Sequence, residues 1–572
     1  MAYVLGIDTG GTNTDCALLD SQNRKVVASS KAATTKKQLS KGIATAIDKL
    51  NIPPGKEIAL VCLSTTLATN AIVEQTGCRT GIILIGKTPE KPLPSMDYKL
   101  IRGKLDIRGR ETVTMSEDEI RTTVREMSKK VEAIAVSGFA SVRNPIQELR
   151  VREIIEQECS LPAFCAHQLT GTLGFWERTV TCSLNASLVK IIYDFITETK
   201  SALLQKHIKA PLMVVRSDGT LMTESVAMKR PIETILSGPA ASILGARYLT
   251  GLSDALILDM GGTTTDIAQL QNGTVRLNPE GARVNGWLTR CKAADVTTYG
   301  IGGDSCISFH REGQIQIGPK RALPRCFADS DFARPYLTPT DILHITGDYV
   351  VGNKAAAKSA LREFSQRCGQ SDNETLRAVY EKITKKLALA CIQASADFEG
   401  HRFSFHDDPA ASFLLDKAFI CNSEEFLRTE IHLQQPVIAV GAPVSAWLPA
   451  VIEKLHCKLI IPDHAEVANA IGAAVAQFSE TVECLIRPKK GDTGYLVYLP
   501  DHNEDFCDYQ TAVEYGKTAL RDHLKKLMQQ YGVTQCHIEI DECPVYTTNF
   551  ACCNKKVFVE TKITASTTCK PV

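Results

Sequence analysis

The stretch Asp8-Thr-Gly-Gly-Thr-Asn-Thr-Asp15 returns later in the chain as Asp259-Met-Gly-Gly-Thr-Thr-Thr-Asp266, with six of the eight positions identical. Apolar runs flank both copies, at residues 3–7 and 16–19 around the first and 255–258 and 267–270 around the second. This spacing predicts a strand, a tight turn and a second strand in each case. A chain that builds the same unit twice is expected to place the two copies face to face around one ligand.

The residue types in the two turns predict phosphate binding. We expect the paired glycines to adopt positive φ and to let the backbone approach a ligand closely. Successive backbone N–H groups in such a turn form a concave anion site, and threonine hydroxyls add donors without charge. The predicted phosphate-binding residues are Gly10, Gly11, Thr12, Asn13 and Thr14 in the first copy and Gly261, Gly262, Thr263, Thr264 and Thr265 in the second.

The aspartates that open and close each copy predict a divalent metal. A carboxylate repels phosphate, but it can hold Mg²⁺, usually through water, because Mg²⁺ gives up its hydration shell reluctantly. Asp8 and Asp259 are therefore predicted to be catalytic residues and to hold the metal ion, directly or through water. We expect Asp15 and Asp266, also assigned to the catalytic set, to orient water or to brace the turns.

Other glycine-rich phosphate motifs fit less well. No Gly-Lys-Ser/Thr follows either turn, so the lysine of a P-loop is missing. A Rossmann fingerprint needs a helix after its glycines, whereas a second apolar strand follows here. A glycine-rich turn can also exist without any ligand, but a purely structural turn has no need of four matching aspartates.

Two later segments are predicted to complete the site. Tyr299-Gly-Ile-Gly-Gly-Asp304 is a further glycine turn, and its Gly302, Gly303 and Asp304 are candidate cofactor contacts. Pro436–Gly441 reads as a strand that ends in a glycine, so Gly441 is another candidate. The small residues of Glu466–Ala474 predict a helix, which either packs closely in the core or contacts the ligand.

Composition limits the function classes. The 572 residues contain 65 Lys plus Arg and 64 Asp plus Glu, so the net charge of +1 gives no electrostatic reason to expect nucleic acid or a membrane surface as partner. No signal peptide is expected at the N-terminus. Twenty cysteines without a Cys-x-x-Cys pair suit a reduced cytoplasmic protein. The tail cysteines Cys536, Cys543, Cys552 and Cys553 match no zinc spacing.

Strand and helix patterns alternate along the chain, which predicts an α/β protein. We expect three domains, at residues 1–190, 191–480 and 485–572, the last being a small α/β domain. Predicted helices include 39–50, 184–204, 374–396 and 512–530, and predicted strands include 58–63, 82–85, 134–139 and 212–216. The stretch 326–361 reads as irregular.

The order of these motifs resembles the actin-like ATPase superfamily, and within it the A-type, ATP-binding subunit of the hydantoinase/oxoprolinase family. The motifs that carry the resemblance extend over residues 4–475: Thr65-Thr-Leu-Ala-Thr-Asn-Ala71, Asn144-Pro145, Glu177-Arg-Thr179, Ser217-Asp-Gly219, Ser237-Gly-Pro-Ala240 and Asp259-Met-Gly-Gly-Thr263. The family usually has His-Gly where this chain has Leu63-Ser64. The resemblance implies an actin-like (ribonuclease H-like) fold with two duplicated ATPase domains.

The resemblance also implies an ATP-dependent hydrolase subunit that uses ATP and Mg²⁺ to activate a cyclic amide, such as a hydantoin or 5-oxoproline, or a related carbonyl. A B-type hydantoinase subunit and a second copy of the chain are the implied protein partners. Family-matched turns and helix starts give the substrate-side candidates, which are Thr65, Thr66, Asn70, Arg178, Ser217 and Asp218. No general base can be assigned among the twelve histidines, and His167 is only a candidate.

Two other functions stay open. An ATP-gated switch or activator of a partner enzyme would bind its partner in a nucleotide-dependent way and respond little to small molecules. A sugar kinase would need the two hairpins but not the hydantoinase-type motifs. A survey of phosphate release with lactams, hydantoins and ketones would separate the three functions.

Overall fold

The computed structural model describes residues 3–35, 38–52, 57–309, 315–327, 336–348, 352–401, 403–405, 407–419, 426–489, 493–500, 502–530, 533, 536–549 and 555–569. Of the tail cysteines, Cys552 and Cys553 lie outside these residues, while Cys536 is partly buried and Cys543 is exposed.

Strands and helices alternate through residues 3–250. The strands are β1 (Tyr3–Thr9), β2 (Asn13–Asp20), β3 (Lys25–Ala33), β4 (Ile58–Thr65), β5 (Thr80–Ile85), β6 (Tyr98–Ile101), β7 (Lys104–Leu105), β8 (Glu111–Val113), β9 (Ala133–Gly138), β10 (Ala163–Cys165), β11 (Leu212–Val215) and β12 (Thr220–Thr223). The helices are α1 (Leu39–Lys49), α2 (Leu67–Glu74), α3 (Glu117–Met127), α4 (Ile146–Glu158), α5 (Ala166–Leu169), α6 (Phe175–Gln205), α7 (Glu224–Lys229) and α8 (Ser237–Thr250).

The next segment, residues 255–475, repeats the opening strand pattern and then becomes helical. Its strands are β13 (Ala255–Met260), β14 (Thr265–Gln271), β15 (Thr274–Val275), β16 (Arg283–Val284), β17 (Trp287–Leu288), β18 (Val296–Tyr299), β19 (Ser305–Phe309), β20 (Ile315–Arg321), β21 (Val437–Val440) and β22 (Leu459–Ile460). Its helices are α9 (Pro339–Thr346), α10 (Lys354–Cys368), α11 (Asp372–Phe398), α12 (Pro409–Phe419), α13 (Val444–Lys454) and α14 (Ala468–Val475).

The C-terminal residues form β23 (Gln477–Pro488), β24 (Tyr495–Tyr498), β25 (Asn503–Phe506), α15 (Tyr509–Gln530), β26 (Ile538–Asn549) and β27 (Lys555–Cys569). These strands do not stand apart, because β23 pairs with β12 and so extends the first sheet. One face of α15 packs on this extension through Leu520 and Leu524. Strands from all three predicted segments therefore share one sheet, and the division into domains stays a prediction.

Two sheets have the same strand order and the same directions. In the first, β3-β2-β1-β4-β11 runs as an antiparallel meander of three strands followed by two strands parallel to β1. In the second, β18-β14-β13-β21-β22 repeats this arrangement. The repeated order is that of the actin-like, ribonuclease H-like fold, so the predicted fold class is confirmed.

A smaller parallel sheet, β10-β9-β5-β6, is built from residues inserted between β4 and β11. Its central strands β5 and β9 are buried along their whole length, which explains why they read as continuous apolar runs. Helices α3 and α4 cover one face of this sheet, with Val124, Ile154 and Ile155 among the buried contacts.

The stretch read as irregular contains two helices, so that expectation is wrong. Helix α9 begins with a capping box in which Thr338 and Asp341 exchange side-chain and backbone hydrogen bonds. Helix α10 begins after Asn353, whose side chain accepts bonds from two backbone amides. Among the described residues, no helix combines the length and the apolar character needed to cross a lipid bilayer.

Helices α8 and α14 lie together between the two large sheets, and glycines let them do so. A Cβ placed on Gly472 of α14 would lie 1.7 Å from the carbonyl oxygen of Ala241, and one on Gly245 of α8 would lie 2.0 Å from that of Ala468. On the other side of α14, a Cβ on Gly6 of β1 would lie 1.8 Å from the carbonyl oxygen of Ala470. The two halves of the protein are thus held together backbone against backbone.

We expect Gly472→Ala to lower the apparent Tm by several degrees, because the new methyl group meets main-chain atoms that cannot rotate away. Overpacking of this kind costs about 1–3 kcal/mol. The control is Gly171→Ala, since Gly171 has no heavy atom within 4 Å of its Cβ position and does not have a left-handed φ. Equal thermal unfolding of the two variants would contradict this account of the packing.

Candidate functional site

The two hairpins have the same geometry. Asp8 pairs with Asp15 across β1 and β2, and Asp259 pairs with Asp266 across β13 and β14. In each turn the first glycine amide donates to the carbonyl of the residue three positions later, at 2.9 Å in both hairpins. The next two amides, of Gly11 and Thr12 and of Gly262 and Thr263, donate to no acceptor among the residues that the structure describes. Each turn therefore presents two free N–H donors at its tip.

The glycines of the turns are needed because other side chains approach them closely, and not because the backbone has unusual angles there. Positive φ was expected at Gly10, Gly11, Gly261 and Gly262, and this is wrong for all four. A Cβ on Gly11 would lie 3.3 Å from Asn70 Nδ2, and one on Gly262 would lie 2.9 Å from Asp304 Oδ2. The turn tips are thus glycine because neighbouring polar side chains crowd them.

Asp8 lies at the carboxyl end of β1 and is only 3 % exposed. Its Oδ1 accepts a hydrogen bond of 2.6 Å from Ser64, which is its register partner on β4. Its Oδ2 faces Asn469 Nδ2 of α14 at 3.4 Å. The carboxylate is therefore held from the sheet on one side and from the helix on the other.

Asp259 occupies the matching position at the end of β13. Its Oδ2 lies 2.5 Å from Ser242 Oγ of α8, and the same Oγ lies 2.7 Å from Asn469 Oδ1. Two side chains, Ser242 and Asn469, thus connect Asp259 to Asp8. This chain of contacts places the carboxylates of both hairpins at one cleft, as the duplicated sequence predicted.

The series of polar contacts that connects Asp8 with Asp259 has one proton too few for every contact to be a hydrogen bond. A serine hydroxyl carries a single proton, and an amide has one donor end and one acceptor end. If Asn469 donates to Asp8, the proton of Ser242 goes to the amide oxygen and none is left for Asp259. If the amide is turned round, its oxygen faces Asp8 instead. In either case the pair needs one proton on a carboxyl group or one cation beside it.

The closing aspartates brace the hairpins across the sheet. Asp15 lies opposite Lys31 on β3, and the Lys31 ammonium reaches its carboxylate at 2.6 Å. Asp266 lies opposite Thr298 on β18 and accepts a hydrogen bond of 2.6 Å from that hydroxyl. Lys31 and Thr298 therefore occupy equivalent positions in the two halves.

The third glycine turn packs directly on the second hairpin. The amides of Gly303 and Asp304 donate to the carbonyls of Gly261 and Gly262, at 3.1 and 2.5 Å. Arg321 of β20 then connects this turn to the first hairpin, since its Nη2 lies 2.7 Å from Thr12 Oγ1 and 3.1 Å from Asp304 Oδ2.

Arg321 thus closes a ring in which both hairpins and the turn surround one cleft. The predicted Gly441 completes the wall beside Asp259, where its φ of +101° and a Cβ position 2.2 Å from the Met260 carbonyl both require glycine.

Electrostatics of this cleft favour a positive ligand. Burial raises the pKa of Asp8 and raises that of Asp259 to about 7, while Ser242 acts in the opposite direction on Asp259. Burial also raises the pKa of Asp15 and of Asp266 to about 6, with Lys31 opposing the shift at Asp15. Their charged forms are therefore costly until a cation neutralises them.

Three substrate-side candidates lie at the edge of the cleft. The hydroxyl of Thr65, at the end of β4, donates to the Thr9 carbonyl, and the Thr65 amide donates to Ser237 Oγ at 3.2 Å. Asn70 approaches Gly11, and its amide group donates to Thr66 at 3.2 Å. A Cβ on Gly238 would lie 3.1 Å from the Thr66 methyl group, so the N-terminus of α8 also faces this edge.

The contacts of the other three candidates lie elsewhere. Arg178 is 1 % exposed and donates to the carbonyls of Gly138 and Phe139 at the end of β9. Ser217 donates to the Glu233 carbonyl at 2.9 Å. Asp218 accepts two bonds from Thr220 within its own turn. These contacts are structural, and a substrate role for the three residues stays a prediction.

Several residues of the cleft were not predicted as site residues, namely Ser64, Ser242, Asn469, Lys31 and Arg321. Asn469 and Ser242 carried a signal, because each is a polar residue within a helix of small residues. Ser64 stands in the place where the related family has His-Gly. Nothing in the sequence around Arg321 indicated its role, because a residue of β20, far beyond the second hairpin in the sequence, shows no local pattern that predicts a contact with the first hairpin.

Two models of one family match the chain over about two thirds of its length. The hydantoinase/oxoprolinase N-terminal region matches residues 4–159, and the hydantoinase/oxoprolinase model matches residues 178–398. The chain belongs to the hydantoinase/oxoprolinase family. The predicted membership is therefore confirmed, and the family's models cover the first hairpin, the second hairpin and the third glycine turn.

Among curated members of this family, the acetophenone carboxylase gamma subunit of Aromatoleum aromaticum is 27 % identical over 446 residues. The alignment covers 68 % of this chain and 58 % of the relative. The chain spans about half to two thirds of the length of the first curated relatives it matches.

Solved structures of two family members share the fold along the whole chain. A nucleotide-free structure of acetone carboxylase, from work on ATP-dependent acetone carboxylation, superposes with a TM-score of 0.75 at 17 % identity and covers 99 % of this chain and 88 % of that one. The ATP-dependent caprolactamase of Pseudomonas jessenii gives a TM-score of 0.68 at 20 % identity and covers 100 % and 88 %. At these identities the likeness concerns the fold.

The raised pKa values predict that the ligand-free protein loses stability as pH rises. A carboxyl group whose pKa is about 7 when folded and near 4 when unfolded binds more protons in the folded state between these values, so stability falls with pH across that window. We expect the apparent Tm to fall by a few degrees between pH 5 and pH 8.

Asp259→Asn should flatten that slope, because the amide does not titrate. Asp522→Asn is the control, since Asp522 is exposed and far from the hairpins in sequence. Thermal unfolding in buffers without divalent metal measures the effect. An Asp259→Asn slope as steep as that of the control would show that Asp259 is not the group that titrates.

Proposed function

We propose that this chain is the nucleotide-binding subunit of an ATP-dependent enzyme that activates an amide or ketone carbonyl by phosphoryl transfer. Cyclic amides of the hydantoin or 5-oxoproline kind are the first substrates to test, and a second subunit is the expected protein partner. The observation that carries the proposal is the connection Asp8–Asn469–Ser242–Asp259, which holds two matching turns around one cleft.

The geometry suits a polyphosphate. The free amides at the two turn tips give donors from opposite sides, and the N-terminus of the fourteen-residue helix α8 adds the positive end of its dipole beside Asp8. Arg321 lies between the two sides and can move from Asp304 to a phosphate oxygen. These are the groups that position a phosphoryl donor and neutralise its charge.

A divalent cation fits the donor set of Asp8 and Asp259. Oxygen ligands of high negative charge are those that Mg²⁺ prefers. The missing positive charge between the two carboxyl groups gives a reason, independent of the family, to place a cation there. Bound Mg²⁺ would neutralise charge on the phosphates, and Asp8 and Asp259 would hold it directly or through water.

Activation by phosphoryl transfer answers a chemical difficulty. An unstrained amide is a poor electrophile because nitrogen donates electrons to the carbonyl carbon. When the carbonyl oxygen takes the γ-phosphoryl group, the bond from phosphorus to the ADP oxygen breaks and the nitrogen or carbon next to the carbonyl loses its proton. For an amide, water can then add to this carbon, the C–N bond breaks as the nitrogen takes up a proton, and a second water releases phosphate from the acyl phosphate that remains. A ketone instead becomes an enol phosphate, which reacts at the carbon next to the former carbonyl group. The protein's part in this step is positioning and charge neutralisation.

The first test measures ATP binding and phosphate release by the purified protein with Mg²⁺ and a set of hydantoins, lactams and ketones. We expect ATP with Mg²⁺ to raise the apparent Tm and one compound class to stimulate phosphate release. Asp8→Asn and Asp259→Asn should each lower release by at least about 100-fold, as loss of a transition-state contact does. Asp522→Asn should behave as the wild type. Full turnover in both hairpin variants would refute the assignment.

A second test concerns Arg321. Arg321→Ala should weaken ATP binding about tenfold, because a guanidinium–phosphate pair is a strong charge-assisted contact. Arg321→Lys should recover part of the affinity. The control is Arg377→Ala, since Arg377 is an exposed arginine of α11 that pairs with Glu381. Calorimetric titration with ATP measures all three, and unchanged affinity in Arg321→Ala would show that the guanidinium does not contact the nucleotide.

A further inference from the structure

A second concave region lies away from the nucleotide cleft. It has a volume of about 2190 Å³, and its lining includes Val4, Leu19 and Asp20 from the far ends of β1 and β2 but no residue of 8–15, 259–266 or 299–304. Ser141 and Arg143, which follow β9, and His167, which follows β10, lie on its wall. It thus includes the carboxyl edge of the small parallel sheet, which is where open α/β sheets bind ligands.

A buried carboxylate organises this edge. Glu148 of α4 is fully buried, and its Oε1 accepts a hydrogen bond of 2.7 Å from the amide of Gly138 at the end of β9. Its Oε2 accepts bonds from the amide of His167 at 3.0 Å and from the ring Nδ1 of the same residue at 2.5 Å. One side chain therefore ties two strand ends together and also fixes an imidazole.

The contact with Glu148 decides which ring nitrogen of His167 is available. A carboxylate can only accept, so Nδ1 carries the proton and Nε2 of the neutral ring keeps its lone pair. Nε2 has no hydrogen-bond partner among the described residues and is not among the buried unpaired atoms, so it opens to the cavity. The side chain of His167 is 14 % exposed, which leaves little besides this edge accessible.

A metal is a weaker explanation for the same cluster. Glu148, Cys165 and His167 present ligand atoms within 4.8 Å of one another. Both carboxylate oxygens and Nδ1 are already engaged in hydrogen bonds, and burial raises the pKa of the Cys165 thiol to about 12. The donors that a metal would need are therefore occupied or protonated, and a hydrogen-bonded Glu–His pair remains.

Cations dominate the cavity wall. Ten lysine and arginine side chains line it, against six aspartate and glutamate side chains. The guanidinium of Arg143 is partly buried and has no ion-pair or hydrogen-bond partner within the described ranges, while its backbone amide donates to the Ala140 carbonyl. Burial and the neighbouring Arg487 guanidinium lower its pKa, while Tyr498 and the Glu560 carboxylate, which is itself bound by Arg487, act in the opposite direction. A half-buried guanidinium close to another one is a costly arrangement unless an anion joins it.

Helix α5, which follows β10, is also held by a residue of the cavity wall. Arg230 donates from Nη2 to the Leu169 carbonyl at 2.8 Å, and its Nε lies 3.0 Å from Glu233. The short helix α5, which carries His167, is thus fixed at both ends, by Glu148 and by Arg230. A ring on such a support keeps its direction, which is a requirement for a binding or proton-exchanging group.

We propose that this cavity is a second small-molecule site, which binds a compound bearing a carboxylate or phosphate group, with Arg143 as its anion contact and His167 Nε2 as its hydrogen-bonding and proton-exchanging group. Glu148 is a positioning residue, since it acts through the ring of His167. The site goes beyond the proposed function, because it uses no residue of the nucleotide cleft and its test needs no ATP.

The test follows the ring of His167 by NMR in full-length protein labelled with ¹³C-histidine, with His167→Gln identifying its signal among the twelve. Succinate and inorganic phosphate are titrated separately, so that the two sources of the anion are distinguished. We expect at least one of them to shift the His167 signal in a saturable way. Arg143→Ala should weaken that response at least about fivefold, since it removes a charge-assisted contact.

Two control variants make the outcome specific. Arg102→Ala, at an exposed arginine outside the cavity wall, and Asp8→Asn, in the nucleotide cleft, should keep the wild-type response. Glu148→Gln should also weaken the response, because an amide in place of the carboxylate no longer fixes the proton of the ring on Nδ1. Absence of any saturable shift with both probes, or an equal response in Arg143→Ala, would overturn the proposal even if Glu148→Gln failed to fold.

Discussion

The contact between helices α8 and α14 is the constraint on which the rest of the molecule depends. Gly245 and Gly472 bring the two backbones so close that a single methyl group would meet a carbonyl oxygen. Helix α14 packs on the first large sheet and helix α8 on the second, so the distance between the helices fixes the distance between the sheets. The ends of β1 and β13 then lie on either side of the same pair of helices. The cleft between the hairpins is a result of this packing.

The same two helices supply the polar contacts of the cleft. Asn469 is the only polar residue of α14, and Ser242 lies among small and apolar residues in the middle of α8; both side chains contact the carboxylates. Because the helices cannot move apart without losing backbone contact, the spacing from Asp8 to Asp259 is held firmly. Burial raises the pKa of both acids, and the Asp8 carboxylate adds to the shift of Asp259, so a proton or a cation at this place offsets the cost of burying their charges. The close packing is thus the physical origin of the site's affinity for positive charge.

Local patterns in the sequence were enough to predict the strands, the hairpins and an α/β protein, because a repeated strand–turn–strand unit has a strong periodic signal, whereas the actin-like fold was implied by the family resemblance. The same patterns gave the wrong reason for Gly11 and Gly262, whose role depends on Asn70 and Asp304 from distant segments. Arg321 was missed for a related reason. A contact between residues 12 and 321 leaves no trace in either neighbourhood, since only the completed fold brings them together. Capping signals before α9 were present at Thr338 and were overlooked.

The two halves have the same topology, but the carboxylates of Asp8 and Asp259 have different hydrogen-bond partners. Asp8 accepts a hydrogen bond from Ser64 of the neighbouring strand, whereas the residue at the equivalent position beside Asp259 is Val440, which has no polar side chain. Asp259 instead takes its hydroxyl partner from α8, and its Oδ1 bonds to no group in the described part of the chain. One carboxylate is therefore held on both oxygens and the other keeps an oxygen open to the cleft. Under the proposed function, this difference suits an asymmetric ligand, because a polyphosphate would offer one hairpin its terminal group and the other its inner groups.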